Sequence, residues 1–278
     1  MTSREYATPF AMLHAASLLS HKARIRKFHD AIRRVVKSGD YVIDIGTGSG
    51  ILAILAAREG ARVTAIDVNQ ESLSYAKRAA KRNSVDGNIE FVHSHFADFS
   101  PNEQADVVIC EMLSSFLLIE QQITASNYAV EKLLKPSGRI IPEAVSIHAV
   151  PVQNDILWER FEIEGLNFPR IVQTAEPGQS VDLADLSEVA AFNLATPNPN
   201  ATVDKTIRFT FFRSGIVHGL LGMFESRLFD DILLTMEDGW KELFLPFELP
   251  IVVEEDESRE VRIVFRPGEF DSLNIDVL

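Results

Sequence analysis

Two short stretches carry residues whose types and spacing suit chemistry. In VIDIGTGSGILA (residues 42–53) an apolar run reaches Asp44, and Gly46, Gly48 and Gly50 follow at alternate positions before an apolar helical pattern begins. Glycines there let the backbone turn tightly and come close to a ligand. Twenty-three residues after Asp44 the next apolar run, RVTAID, ends in Asp67. A carboxylate at that point is placed to accept hydrogen bonds from ribose hydroxyls. The G-x-G-x-G spacing puts Ile51 where a dinucleotide-binding turn would carry its third glycine, and no lysine follows as a P-loop requires. The second stretch is ADVVICEMLSSFLLIE (residues 105–120), in which Glu111 and Glu120 bracket eight uncharged residues. A regular helix or strand would send these two acids to opposite sides. Only a turn brings them together, and the hydroxyls of Ser114 and Ser115 favour one by bonding locally to the backbone. By residue type alone, Glu111 equally suits a helix cap and Glu120 a solvated helix face.

The elements that must position these residues alternate. Residues 10–37 read as a helix; strands follow at 41–45, 62–67, 89–94 and 105–110, with helices at 51–60 and 70–83 between them. Asn69 suits the N-cap of the later helix and Gly60 the C-cap of the earlier one. Alternating strand and helix predict an α/β, doubly wound, Rossmann-like parallel sheet. Beyond KLLKPSGRIIPE the texture changes to short apolar strands with turn signals, which predicts an antiparallel β-barrel or sandwich as a second domain. The expected division is 1–141 for the ligand-binding α/β domain and 142–278 for the β-rich one, with 173–206 as a long loop holding one short helix.

The 278 residues are 46% hydrophobic and 24% charged, which describes a soluble globular chain rather than a disordered one. No apolar run reaches the roughly 20 residues that a bilayer demands, and the N-terminal segment lacks the order of a signal peptide. The single cysteine, Cys110, allows no internal disulfide, so a cytoplasmic location is expected. Of the net charge of −13, residues 1–141 carry +2 and residues 142–278 carry −15. An acidic half disfavours nucleic acid and favours cationic partners, although solubility alone would also account for it. No His/Cys cluster suggests a metal.

VIDIGTGSG followed by AID resembles motif I and the second-strand acid of class I S-adenosylmethionine-dependent methyltransferases. The resemblance implies S-adenosyl-L-methionine as cofactor, with Asp44, Gly46, Gly48 and Gly50 against its amino-acid part, Asp67 on the ribose and Asp98 near the adenine. CEMLSSFLLIE is similar to the double-glutamate hairpin of protein arginine methyltransferases, which implies that Glu111 and Glu120 grip a substrate guanidinium. Two carboxylates suit that planar, permanently charged group through forked hydrogen bonds. LLSHKARIRKFHDAI resembles the segment before motif I and implies that Arg24 pairs with the cofactor carboxylate. DGWKELFLP resembles the Thr-His-Trp loop, with Trp240 matching and Gly239 standing where the family carries histidine. Met112 and Ser114-Ser115 replace the hairpin's usual Trp and Gly-Tyr. The implied activity is methyl transfer to arginine of a cationic protein or peptide. A small guanidino or amine metabolite as acceptor, and a binding protein without catalysis, are the alternatives. The family also implies a homodimer formed through an arm on the barrel, for which 173–206 is the expected location.

Overall fold

The computed structural model describes residues 17–278, so positions 10–16 of the expected first helix lie outside the described residues. Helix α1 (Lys22–Val35) buries Arg24, Phe28, Ala31, Ile32 and Val35, a single stripe at helical spacing. After it come β1 (Tyr41–Ile45), α2 (Ile51–Arg58), β2 (Arg62–Asp67), α3 (Gln70–Arg82), β3 (Ile89–His93), β4 (Ala105–Cys110), α4 (Gln122–Tyr128) and β5 (Leu134–Ile141). The Asn69 side chain caps α3 by accepting from the Ser72 N–H at 2.9 Å. Gly60 follows α2 with φ +91°, a left-handed conformation that suits glycine.

These strands form a five-stranded sheet in the order β3-β2-β1-β4-β5, every pairing parallel. All five residues of β1 are buried, as a central strand covered on both faces must be. The order reverses between β1 and β4, so the crevice at their carboxyl ends is the switch point where such sheets bind ligands. Ile45 pairs with both Ile66 and Cys110. The Gly-rich turn, Asp67 and Glu111 therefore all emerge at one edge.

The second half holds β6 (Ala144–Gln153), α5 (Asp155–Glu159), β7 (Glu162–Ile163), β8 (Leu166–Asn167), β9 (Gln173–Ala175), β10 (Val181–Asp182), β11 (Ser187–Asn193), β12 (Val203–Thr210), β13 (Gly215–Phe229), β14 (Ile232–Leu234), β15 (Glu242–Val253), β16 (Ser258–Phe265) and β17 (Asn274–Val277). The long β13 pairs antiparallel with β6, β15 and β14 at the centre of a seven-stranded sheet, while β12, β16 and β17 form a second. A single bridge, Ala184 to Phe211, stands outside these strands. Among the described residues the ladders do not close a barrel. The expected loop at 173–206 is also corrected: it contains β9, β10 and β11 and the start of β12. Its short strands each find their partner far along the chain, so periodicity within 173–206 could not reveal them.

The two halves share one core, in which Phe28, Ile43 and Phe116 join Phe209 and Phe265. Lys27 on α1 also donates to Asp238 at 2.6 Å. Among the described residues, no helix is long and apolar enough to cross a membrane.

Candidate active site

A cavity of about 480 Å³ opens at the carboxyl ends of β1, β2 and β4, with Arg24 of α1 and the Gly239–Lys241 segment in its walls. That volume lies in the range of small-molecule sites. At one side Gly46 and Gly48 present bare backbone. Asp44 lies beneath the turn, 1% exposed, and accepts from the Thr47 hydroxyl at 2.6 Å. Burial pushes its carboxyl up to about 7, with the Thr47 bond opposing. Asp67 accepts from the Gly48 and Asn69 N–H groups, both at 2.8 Å, and burial raises its pKa against those bonds. Its carboxylate is thus fixed by backbone at the edge of the cavity.

The other side is built by an irregular turn. Ser114 Oγ accepts from the N–H groups of Ile119 and Glu120, each at 3.1 Å, and so closes the segment on itself. Phe116 and Leu117 take φ of 59° and 52°, a left-handed pair that costs strain and persists only where packing imposes it. The packing comes from the second half of the chain. Phe116 is fully buried, stacks on Phe265 at 5.2 Å, and fills the space beside Gly222, where a Cβ would lie 2.7 Å from the ring. Ser115 donates to the Lys241 carbonyl at 2.5 Å and the Trp240 indole to the Leu113 carbonyl at 3.1 Å. From below, the buried Gln122 amide accepts from Met112 N–H at 2.8 Å and donates to the Cys110 carbonyl at 2.9 Å.

Glu111 and Glu120 consequently face the same cavity, together with Arg24. Arg24 forms an ion pair with Glu111, the two side chains 5% and 11% exposed, and its guanidinium lies 5.3 Å from the Trp240 ring centre. Burial draws the Arg24 pKa down to about 10 while the charge of Glu120 opposes the fall. Burial raises Glu120 to about 8, with Arg24 opposing. A carboxyl held that high is poised to ionise when a cation arrives. Buried Cys110, pushed up to about 12, is an inert thiol of the strand.

Two expected site residues do not line the cavity. Gly50 has φ +80°, and a Cβ there would sit 2.7 Å from the Ala76 Cβ, so it serves the close packing of α2 on α3. Asp98 is exposed at the end of a turn that buries Phe96 instead; from this loop Ser94, His95 and Phe96 reach the cavity. His95 Nδ1 accepts from the Ala97 N–H at 3.2 Å, which leaves Nε2 as the ring donor. Burial lowers the His95 pKa and Asp98 opposes it.

Among the described residues, three buried side-chain polar atoms lack a partner: His21 Nδ1, Arg24 Nε and His95 Nε2. All three residues line this cavity. Unpaired buried polar atoms are costly, and Arg24 Nε and His95 Nε2 are donors that a polar ligand in the cavity would satisfy.

The sequence model of the ribosomal protein L11 methyltransferase (PrmA) family matches residues 29–147. An uncharacterized protein of Methanocaldococcus jannaschii is 42% identical over 127 residues, covering 45% of this chain and 49% of that one. Protein arginine N-methyltransferase 6 of Xenopus tropicalis is 23% identical over 290 residues, covering 93% of this chain and 83% of the relative. A chain of the Trypanosoma brucei PRMT1 enzyme-prozyme heterotetrameric complex with AdoHcy superposes with a TM-score of 0.79 at 21% identity, covering 94% of this chain and 90% of that chain. The chain resembles the protein arginine methyltransferases. It shares their two-domain α/β fold. It spans about half the length of the first curated relatives it matches.

Sequence reasoning did not place His21 and His95 in this cavity, nor Gln122 beneath the turn that carries Glu111. No spacing pattern ties any of them to the Gly-rich turn or to the glutamates, and only the partners brought by other elements mark them out. Trp240 was legible through the resemblance, but its grip on Leu113 was not.

Proposed function

We propose that this chain is an S-adenosylmethionine-dependent methyltransferase that acts on a guanidino nitrogen of arginine in a cationic protein or peptide. The observation that carries the reading is the meeting, in one cavity, of the Gly46–Gly48 turn and Asp67 with the Glu111–Glu120 pair. Gly46 and Gly48 would lie along the amino-acid part of the cofactor, and the unpartnered Arg24 Nε offers its carboxylate a donor. Asp67 would accept from the ribose hydroxyls. When bound, S-adenosylmethionine supplies an electrophilic methyl group on a sulfonium. Glu111 and Glu120 hold the guanidinium and direct one nitrogen toward that methyl, so alignment and water exclusion supply much of the rate.

In this reading a second copy docks on the excursion between β6 and β9, which leads into 173–206. There Ile156, Ile163, Leu166 and Phe168 are 66%, 53%, 61% and 51% exposed, an apolar surface suited to a second copy. Sedimentation of the parent beside Leu166→Glu tests this.

The decisive test of function is label transfer from S-adenosylmethionine to arginine-rich proteins, peptides and small guanidines. Methylarginine from the parent, reduced at least about a hundredfold in both Glu111→Gln and Glu120→Gln, is expected for lost transition-state electrostatics. Label on a small amine or guanidine alone would move the reading to a metabolite methyltransferase. Tight cofactor binding with no transfer would make the chain a binding protein.

A further inference from the structure

The face of α1 that meets the second half carries His21, just before the helix, then Arg24 and Lys27 at three-residue spacing. Lys27 is bonded to Asp238 and Arg24 stacks on Trp240. Between those two residues lies Gly239, with φ +125°. A Cβ at Gly239 would fall 2.4 Å from His21 Nδ1 and 2.6 Å from Cγ. The imidazole therefore occupies the space that any side chain at position 239 would need. His21 lines the active cavity, while its Nδ1 is sealed against the glycine without a partner. That leaves Nε2 as the ring nitrogen available to the cavity. The charged groups around the ring are Arg24 on its own helix, Glu111 and Glu120 across the cavity, the Lys27–Asp238 pair, and Lys241, which is bridged to Glu176.

The geometry points to His21 as a further catalytic residue, the proton acceptor of the site, delivered by α1 into the gap that Gly239 leaves open. This rests on the methyl-transfer reading above. A guanidinium nitrogen that gains a carbon must lose a proton: the N–H bond breaks with its electron pair staying on the substrate nitrogen, and the proton joins the imidazole lone pair. The resulting imidazolium then yields that proton to solvent. Glu111 is already engaged by Arg24, Asp44 by Thr47, Asp67 by the Gly48 and Asn69 N–H groups, and the His95 lone pair on Nδ1 by Ala97 N–H, which leaves His21 and Glu120 as the cavity's exchangeable acceptors. Of these, Glu120 must stay charged to hold the substrate. A neutral imidazole can take the proton without surrendering a charge that binds the guanidinium.

The test compares the parent with His21→Phe, which fills the space beside Gly239 without a ring nitrogen, and with His21→Ala. Methyl transfer to the arginine peptide is measured alongside calorimetric binding of S-adenosylhomocysteine. The expected result is a kcat reduced about 10²–10⁴-fold in both variants, as for loss of a general base. Affinity for S-adenosylhomocysteine and peptide KM should stay within about threefold, and added imidazole should restore part of the rate in His21→Ala. A His21→Phe variant with parental kcat overturns the assignment, as does a fall in S-adenosylhomocysteine affinity that parallels the fall in rate without imidazole rescue. A parent that transfers no methyl group to any guanidine instead removes the reading on which the assignment stands.

Discussion

Two pairs of carboxylates face one cavity and are held there by opposite means. Asp44 and Asp67 sit on adjacent parallel strands; Thr47 and Asn69 bond them from within three residues, and Gly48 bonds Asp67 from the turn that ends the neighbouring strand. Glu111 and Glu120 emerge from a strained turn, and what steadies them comes from remote elements: Arg24 of α1, Trp240, Phe265 and the gap at Gly222. The first pair follows from strand pairing, because neighbouring strand ends fix where their side chains lie. The second exists only once both halves of the chain have packed. A local arrangement can thus be recognised from spacing, whereas a non-local one can be recognised only by likeness to a protein that already has it.

That contrast makes removal of a remote partner the most damaging single change. Arg24→Ala leaves Glu111 buried beside no cation, and breaking a buried pair in this way costs about 3–5 kcal/mol. Chemical denaturation should register that loss, and a change below about 1 kcal/mol would show that the pair is not a structural support. A middle-sized effect concerns pH. With Glu120 held up to about 8 in the ligand-free protein, capture of a guanidinium should expel its proton. Affinity for a guanidinium probe should therefore rise up to about tenfold per unit as pH increases toward 8, then level off, because the bound form carries fewer protons than the free form. Calorimetry in buffers of different ionisation enthalpy reads the released proton, and Glu120→Gln should abolish it. The smallest effect belongs to the local pair: Thr47→Val withdraws one donor from Asp44 and should cost about 1 kcal/mol in thermal stability. A loss as large as that of Arg24→Ala would erase the distinction between the two pairs.

Legibility followed the same line elsewhere. The parallel sheet was readable because each strand and helix announces itself within about ten residues. Gly50 has the type and spacing of a ligand-turn glycine, but Ala76 on α3 gives it a packing role. Asp98 sits in the right loop, yet the turn that buries Phe96 turns it outward and brings His95 to the cavity. The strands within 173–206 escaped notice because their partners, β6, β15 and β16, lie elsewhere in the chain.

By itself the sequence determined the parallel sheet, the Gly46–Gly48 turn and the acids at the strand ends, since these depend on periodicity and on hydrogen bonds between near neighbours. It also determined that Glu111 and Glu120 could meet only through a turn. Only the tertiary structure decided that Arg24 pairs with Glu111, that Trp240 holds the Leu113 carbonyl, and that His21 fills the space above Gly239. Each of those depends on a contact between residues far apart in sequence, and such contacts are fixed by packing and desolvation in the assembled core rather than by any local pattern.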